Sequence, residues 1–221
     1  MELSKRLQKI ADFVCEGKVL ADIGTDHAHL PIWLIKNHKI PKAYALDIGV
    51  GPLERAKEAI HIYGLEEVIE PRLSDGMKEL KEGEVQTVVI AGMGGPLICK
   101  ILDERKDLWS SIDEFILSPQ SELKETRQYL RANGFIISRE EMVFDMGKYY
   151  TVLKVIKQSE VEDLYGAYLL EHKDPVLYEY LLKERQTKEQ ILKNLPESAS
   201  KRKQELEKEL NLNTLAIRRY E

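Results

Sequence analysis

Two cysteines, Cys15 and Cys99, are all that 221 residues contain. Both fall within apolar periodic stretches, which excludes a disulfide framework and a thiolate zinc site and leaves reduced, inert thiols. No apolar run approaches the ~18 residues of a membrane-spanning helix, and no charged-then-apolar leader pattern opens the sequence. The expectation is a cytoplasmic protein with no membrane partner and no metal. Positive charge is also in short supply. A net charge of −5 excludes indiscriminate polyanion binding, so a nucleic-acid partner must be met by a local basic patch. There is no internal repeat and no low-complexity segment. What is present is an ordinary balance, 43% hydrophobic and 32% charged, in a chain long enough for one α/β domain and an appendage.

Periodicity orders that chain. Leu3, Leu7, Ile10 and Val14 recur at helical spacing and predict an amphipathic helix over 3–15. Val19 to Ile23 is a buried strand, stopped at Gly24 and followed by a helix-start cluster and the apolar Ile32, Leu34 and Ile35. Ala43 to Asp47 is a second strand; Ile48 to Pro52 turn the chain, and Leu53 to Tyr63 are helical up to Gly64. Val68 to Leu73 and the β-branched Val85 to Ala91 are strands, with a helix from Leu97 to about Asp103. A short strand at Glu114 to Leu117, a helix from Glu122 to Asn133 capped by Gly134, and a hairpin of Phe135 to Phe144 with Tyr149 to Ile156 follow. Strand and helix alternate, so the fold class is α/β: a Rossmann-like, doubly wound, mainly parallel sheet into which one late strand can enter antiparallel.

Beyond Gln158 no strand pattern survives. Val161 to Lys173 is helical, Asp174 and Pro175 open another helix, and Pro196, Ser198 and Ser200 separate a last one. Leu177, Leu181, Leu192 and Leu195 are expected to face Leu206, Leu210, Leu212 and Leu215 in an antiparallel, coiled-coil-like hairpin. Two domains are expected, 1–157 and 158–221.

The first strand-to-helix turn carries the chemistry. A dinucleotide site would read G-x-G-x-x-G, whereas here Asp22 and Gly24 are followed by Thr25, Asp26, His27, Ala28 and His29. An acid at Asp26 repels a diphosphate and suits a cation, and Asp tolerates a left-handed backbone better than most residues. S-adenosylmethionine has a sulfonium cation, a nucleoside and no phosphate. Asp47, ending the second strand beside Ile48, is spaced to accept both ribose hydroxyls of such a cofactor. Ser74, Asp75, Gly76 and Met77 follow the third strand, where a carboxylate accepts from the adenine amine and a thioether contacts the ring. Ala91, Gly92, Met93, Gly94 and Gly95 end the fourth strand, where glycines permit close approach of a flat substrate. Each acid alone also reads as a turn starter or helix cap.

Together ADIGTDHAHLP (21–31), ALD (45–47), SDG (74–76), AGMGG (91–95) and SPQSE (118–122) resemble the bacterial tRNA (adenine-22-N1)-methyltransferase family along essentially the whole chain. The resemblance implies a Rossmann-like domain that binds S-adenosyl-L-methionine, a helical domain that helps hold tRNA, and methylation at adenine N1. That nitrogen has an in-plane lone pair, so positioning is the main task, and an acid near the base stabilises the cation formed. Asp26 is the candidate for that role, with His27 and His29 as hydrogen-bond or stacking partners, although both also read as ordinary residues of a helix start. Gln120 is a candidate base reader and Tyr149 a stacking residue. Lys5, Arg6, Lys9, Lys183, Arg185, Lys201 and Arg202 are candidate phosphate contacts, a solvated basic face being the alternative. A small-molecule methyltransferase and a non-catalytic RNA-binding protein are the competing functions. A monomer is favoured.

Overall fold

A computed structural model describes residues 1–157, 159–196 and 199–220. Two compact units divide it, Met1–Lys157 and Gln158–Glu221.

The first unit alternates as the periodicity requires: α1 (Lys5–Phe13), β1 (Leu20–Ile23), α2 (His29–Lys36), β2 (Ala43–Asp47), α3 (Val50–Ile62), β3 (Ile69–Leu73), β4 (Thr87–Ala91), α4 (Gly95–Asp103), a 3-10 turn at Lys106–Ser111, β5 (Glu114–Ser118), α5 (Leu123–Ala132), β6 (Phe135–Asp145) and β7 (Lys148–Lys157). The seven strands lie in the order β3-β2-β1-β4-β5-β7-β6. All neighbours from β3 to β5 pair parallel, while β7 enters antiparallel between β5 and β6. The antiparallel late strand was expected; its place inside the sheet was not.

Alternation along the strands builds one core on each face. Ala21, Ile23, Val88, Ile90, Phe115 and Leu117 pack with Ile98, Ile101 and Leu102 of α4 and Leu130 of α5. On the other face Leu20, Ala43, Val89 and Ile116 pack with Ile10 and Phe13 of α1, Ile32 of α2 and Ile60 of α3. Asp22 shares the parity of Leu20, so its side chain faces the α1 side.

Helix α3 starts within the turn that the pattern places over Ile48 to Pro52, and α4 starts two residues before Leu97. Pro52 lies inside the first turn of α3 and Pro96 inside that of α4, where the missing N–H has no intrahelical partner to lose. Helix α1 is clasped by the distant hairpin. The Arg6 N–H donates to Asp145 Oδ2 (3.0 Å), Lys9 Nζ pairs with Glu141 (2.7 Å), and Lys154 Nζ donates to Phe13 O (3.2 Å).

In the second unit the expected helix over 161–173 is two, α6 (Glu160–Tyr165) and α7 (Ala167–Glu171), broken at Gly166 with φ +85°. Helices α8 (Pro175–Asn194) and α9 (Ser200–Arg218) pack antiparallel. Ser198, read as part of the break between them, lies outside the described residues. The leucine register is corrected. Leu177, Leu181 and Leu206 are buried as expected, but the α9 stripe continues through Asn213, Ala216 and Ile217, while Leu215 faces out and Leu192, Leu195, Leu210 and Leu212 are only partly covered. Asn213 Nδ2 donates to Leu181 O (3.0 Å) and to Glu184 Oε2 (2.9 Å), which also accepts from the Tyr165 hydroxyl at 2.6 Å.

Candidate functional site

The carboxyl ends of β1, β2 and β4 meet where the strand order reverses, the position at which open α/β sheets bind ligands. Asp22 sits there almost fully buried. Burial pushes its carboxyl up to about 6; the Thr25 hydroxyl opposes that, the Asp47 carboxylate adds to it, and the Arg6 guanidinium opposes it. Gly24 follows with φ +75°, its N–H donating to Leu46 O at 2.8 Å, and a Cβ there would stand 2.2 Å from Met93 Cε. The first glycine of the turn is therefore favoured by its left-handed backbone, and the end of the flexible Met93 side chain rests on it.

The left-handed residues of this turn are not where the sequence suggested. Asp26 has ordinary backbone, whereas His27 (φ +58°) and Ala28 (φ +50°) are left-handed, Ala28 with its side chain buried. Consecutive non-glycine residues in this region cost of order 1–2 kcal/mol each, strain of the kind that collects at functional turns. Asp26 is exposed, and its Oδ1 accepts from Arg55 Nε (3.2 Å) and Nη2 (3.0 Å), with His27 Nε2 at 3.5 Å. The His27 and His29 rings stack 5.3 Å apart. Burial, and then His27, hold the His29 imidazole below its ordinary range, with Asp26 opposing, which keeps it neutral at pH 7.

Asp47 Oδ1 accepts from the Gly49 N–H at 2.7 Å and fixes the turn, and Oδ2 has no hydrogen bond to a described residue. Ile48 beside it is 69% exposed, an apolar surface next to a carboxylate. Ser74 is committed to its own turn, donating to Gly76 O (2.9 Å) and accepting from Glu79 N (3.2 Å). Asp75 is exposed and paired with Lys78. Met77 is corrected: it is buried in the core with Leu80, Val85 and Ile101, because the left-handed Gly76 turns the chain inward before it.

Beyond β4, Gly92 (φ +84°) is exposed, and a Cβ on it would lie 3.4 Å from Arg6 Nη1 and 3.8 Å from Gln120 Nε2. Gln120 is placed there because its N–H donates to Met93 O at 2.9 Å. Ala91 and Met93 are partly exposed at this rim. Gly95 is corrected from substrate contact to packing, since it is buried and a Cβ would stand 2.2 Å from Thr126 Oγ1 and 2.7 Å from Ser121 O. Gly94 lies between the two, with Ser121 Oγ 3.0 Å from the same virtual atom.

Of the basic candidates, Arg6 belongs to the site rather than to an outer phosphate face. Its guanidinium lies over the Tyr150 ring (5.1 Å), and its buried Nη1 has no hydrogen-bond partner among the described residues. Lys9 is tied to Glu141, and Lys5 is exposed near Asp145. In the second unit Lys183 pairs with Glu179, Arg185 with Glu189 and Arg202 with Glu205, whereas Lys201 makes no ion pair with a described residue. Two residues went unread. Arg55 had no local signal on a charged helix face. Ser118, fully buried at the end of β5 with an unpartnered hydroxyl, was visible only as the first letter of SPQSE.

The residues present fit a cationic nucleoside. Arg6 Nη1 and the Ser118 hydroxyl are buried without a hydrogen-bond partner among the described residues, Asp22 feels both Asp47 and Arg6, and the glycines at 24 and 92 keep the backbone open. Among the described residues no group of three or more His, Cys, Asp or Glu could hold a metal, and no helix is long and apolar enough to cross a membrane.

A seven-stranded sheet with one antiparallel inner strand, and acids rather than a glycine-rich diphosphate loop at its switch point, defines a Rossmann-like methyltransferase. Comparison with known proteins agrees. Residues 3–153 match the family model described as a methyltransferase domain. The tRNA (adenine(22)-N(1))-methyltransferase of Bacillus subtilis is 39% identical over 153 residues, which span 69% of this chain and 64% of that protein. The crystal structure of the B. subtilis m1A22 tRNA methyltransferase TrmK superposes with a TM-score of 0.69 at 32% identity, covering 98% of this chain and 99% of that one. Mycoplasma capricolum TrmK, solved with S-adenosyl-homocysteine, gives 0.65 at 28% identity over 100% of both chains. The chain belongs to the tRNA (adenine(22)-N1)-methyltransferase family of methyltransferase-domain proteins.

Proposed function

We propose that this protein is an S-adenosyl-L-methionine-dependent methyltransferase that modifies N1 of adenine 22 in tRNA. The observation carrying the reading is the convergence at one sheet edge of Asp22, Asp47 and Arg6, two acids and a cation spaced for a ribose, a sulfonium and a carboxylate. When bound, the cofactor supplies the methyl group. Asp47 Oδ2 accepts from the ribose hydroxyls, Ile48 covers the adenine face, and Asp75 accepts from its amine once Lys78 swings aside. Arg6 pairs with the amino-acid carboxylate. Gly92 and Met93 bound the channel through which the base approaches, and the Gln120 amide reads the base edge. Adenine N1 needs no deprotonation, so these residues act by orienting it and excluding water. Asp26 balances the cationic product through Oδ2, since Oδ1 is held by Arg55; His27, left-handed, and His29, stacked on it, shape the lip.

The helical unit holds tRNA through Lys183, Arg185, Lys201 and Arg202. Exposed i, i+4 pairs such as Lys183–Glu179 are weak and screened by solvent, so phosphates can displace the acids.

The test is Asp47→Ala. Calorimetry should show saturable cofactor binding in the wild type and none in the variant, whose unfolding stays cooperative with a melt lowered only by the lost Gly49 turn bond. Near-normal affinity in the variant would remove the ribose assignment. Incubating labelled cofactor with bulk tRNA and mapping the modified nucleoside separates this function from small-molecule methylation and from an inert RNA binder.

A further inference from the structure

The turn joining β6 and β7 presents an unusual surface. Met146 is 90% exposed and Tyr149 73%, with Phe144 and Met142 also open to solvent. Phe144 and Tyr149 are register partners, their rings 4.8 Å apart. At the tip Met146 and Gly147 are both left-handed (φ +47° and +78°), the arrangement of a two-residue hairpin turn that favours Asn-Gly. A methionine there is strained and exposed at once, and its side chain stabilises nothing in the fold.

The acids of the hairpin are engaged by neighbours, and Asp145 beside the tip keeps its negative charge, the Arg6 N–H holding its carboxyl below the ordinary range. Asp145 accepts the Arg6 N–H, Glu141 is paired with Lys9 and Arg139, and Glu140 with Arg127. Lys148 makes no ion pair with a described residue, and Lys5 lies near Asp145. One residue past Tyr149, the Tyr150 ring carries the Arg6 guanidinium that reaches Gly92. Tyr150 points to the opposite face of β7 from Tyr149, so the base of the hairpin borders the site while the apolar tip projects beyond it.

We propose that this tip is a base-stacking wedge: Met146 enters the stack beside the target adenine, and Phe144 with Tyr149 forms the platform that receives a displaced base of the RNA. Adenine N1 lies on the pairing edge, so transfer requires an unstacked nucleotide, and apolar side chains inserted at a base step supply that opening. The proposal rests on tRNA being the substrate.

Met146→Asn is the main test, because asparagine tolerates the left-handed position and the variant should melt at the same temperature or higher. Tyr149→Ser is the second variant. Removing one stacking contact is expected to lower kcat/KM on unmodified tRNA about 5- to 150-fold with cofactor affinity unchanged. The loss should shrink on a tRNA whose target adenine is left unpaired by changing its partner. A 2-aminopurine placed next to the target should brighten with the wild type and not with Met146→Asn. Rates within twofold of wild type on both substrates, or equal brightening, overturn the wedge. Loss of a wild-type dimer in sedimentation, with methylation untouched, would overturn it in favour of a second copy on the tip. If the wild type methylates no tRNA at all, the substrate reading fails instead.

Discussion

Asp22 is ionisable inside the range where the protein works. Its unfolded carboxyl titrates near 3.8 and its folded one near 6. As pH rises between those values the unfolded state sheds the proton first, so folding is progressively disfavoured, and the cost is complete above about 6. Asp22→Asn should therefore raise stability at pH 7 by on the order of 2–3 kcal/mol and bring little gain below pH 4, as melts at the two pH values would show. The same variant should lose cofactor affinity, because the ionised carboxylate faces a sulfonium. Wild-type affinity should weaken about fivefold from pH 6 to pH 5 in calorimetry, as the ionised fraction of Asp22 falls, and the variant's should stay flat. Asp22, Gly24 and Asp47 were legible because strand ends are marked by an apolar run that stops. Met77 and Gly95 were not, because which way a side chain turns after a left-handed glycine, and what a glycine packs against, are tertiary facts. Arg6 looked like any lysine or arginine on a solvated helix face; only the hairpin some 140 residues later shows where it points.

Strands β2, β5 and β6 start where the pattern puts them, at Ala43, Glu114 and Phe135, whereas helices α3 and α4 start earlier than it has them, for a shared reason. Pro52 and Pro96 resemble turns in a linear pattern, yet the first helical turn needs no N–H from them. Gly166 is small enough to hide inside an apolar helical period while its backbone breaks the helix. The α8–α9 register was misjudged for a related reason, since leucine spacing alone cannot show that a polar residue takes the central position. Asn213, fully buried and bonded to Leu181 and Glu184, specifies that register. Asn213→Ala leaves the Leu181 carbonyl and the Glu184 carboxylate short of a donor, and should cost ~1–3 kcal/mol in chemical unfolding. A change below about 0.5 kcal/mol would mean that the network adds nothing to the hairpin.

Each compact unit has its own core, and every residue assigned to the cofactor lies within Met1–Lys157. Ending the chain after Lys157 should keep cooperative unfolding and cofactor affinity within twofold, while tRNA affinity falls at least tenfold and its salt dependence flattens as phosphate contacts are lost. Loss of cofactor binding would place part of the site in the helical unit. Undiminished tRNA binding would remove that unit from recognition.

The clasp between α1 and the β6–β7 hairpin also orders events on the ribosome. At about 5–20 residues per second, α1 emerges on the order of ten seconds before Glu141, Asp145 and Lys154 are made. During that interval its apolar face, Ile10 and Phe13, lacks the late strands that help cover it, and Arg6 has no Tyr150 to rest on. A nascent chain carries Asp22 and Asp47 at its strand ends before Arg6 can be set against them. The pocket becomes electrostatically complete only when the hairpin that clasps the first helix has been synthesised.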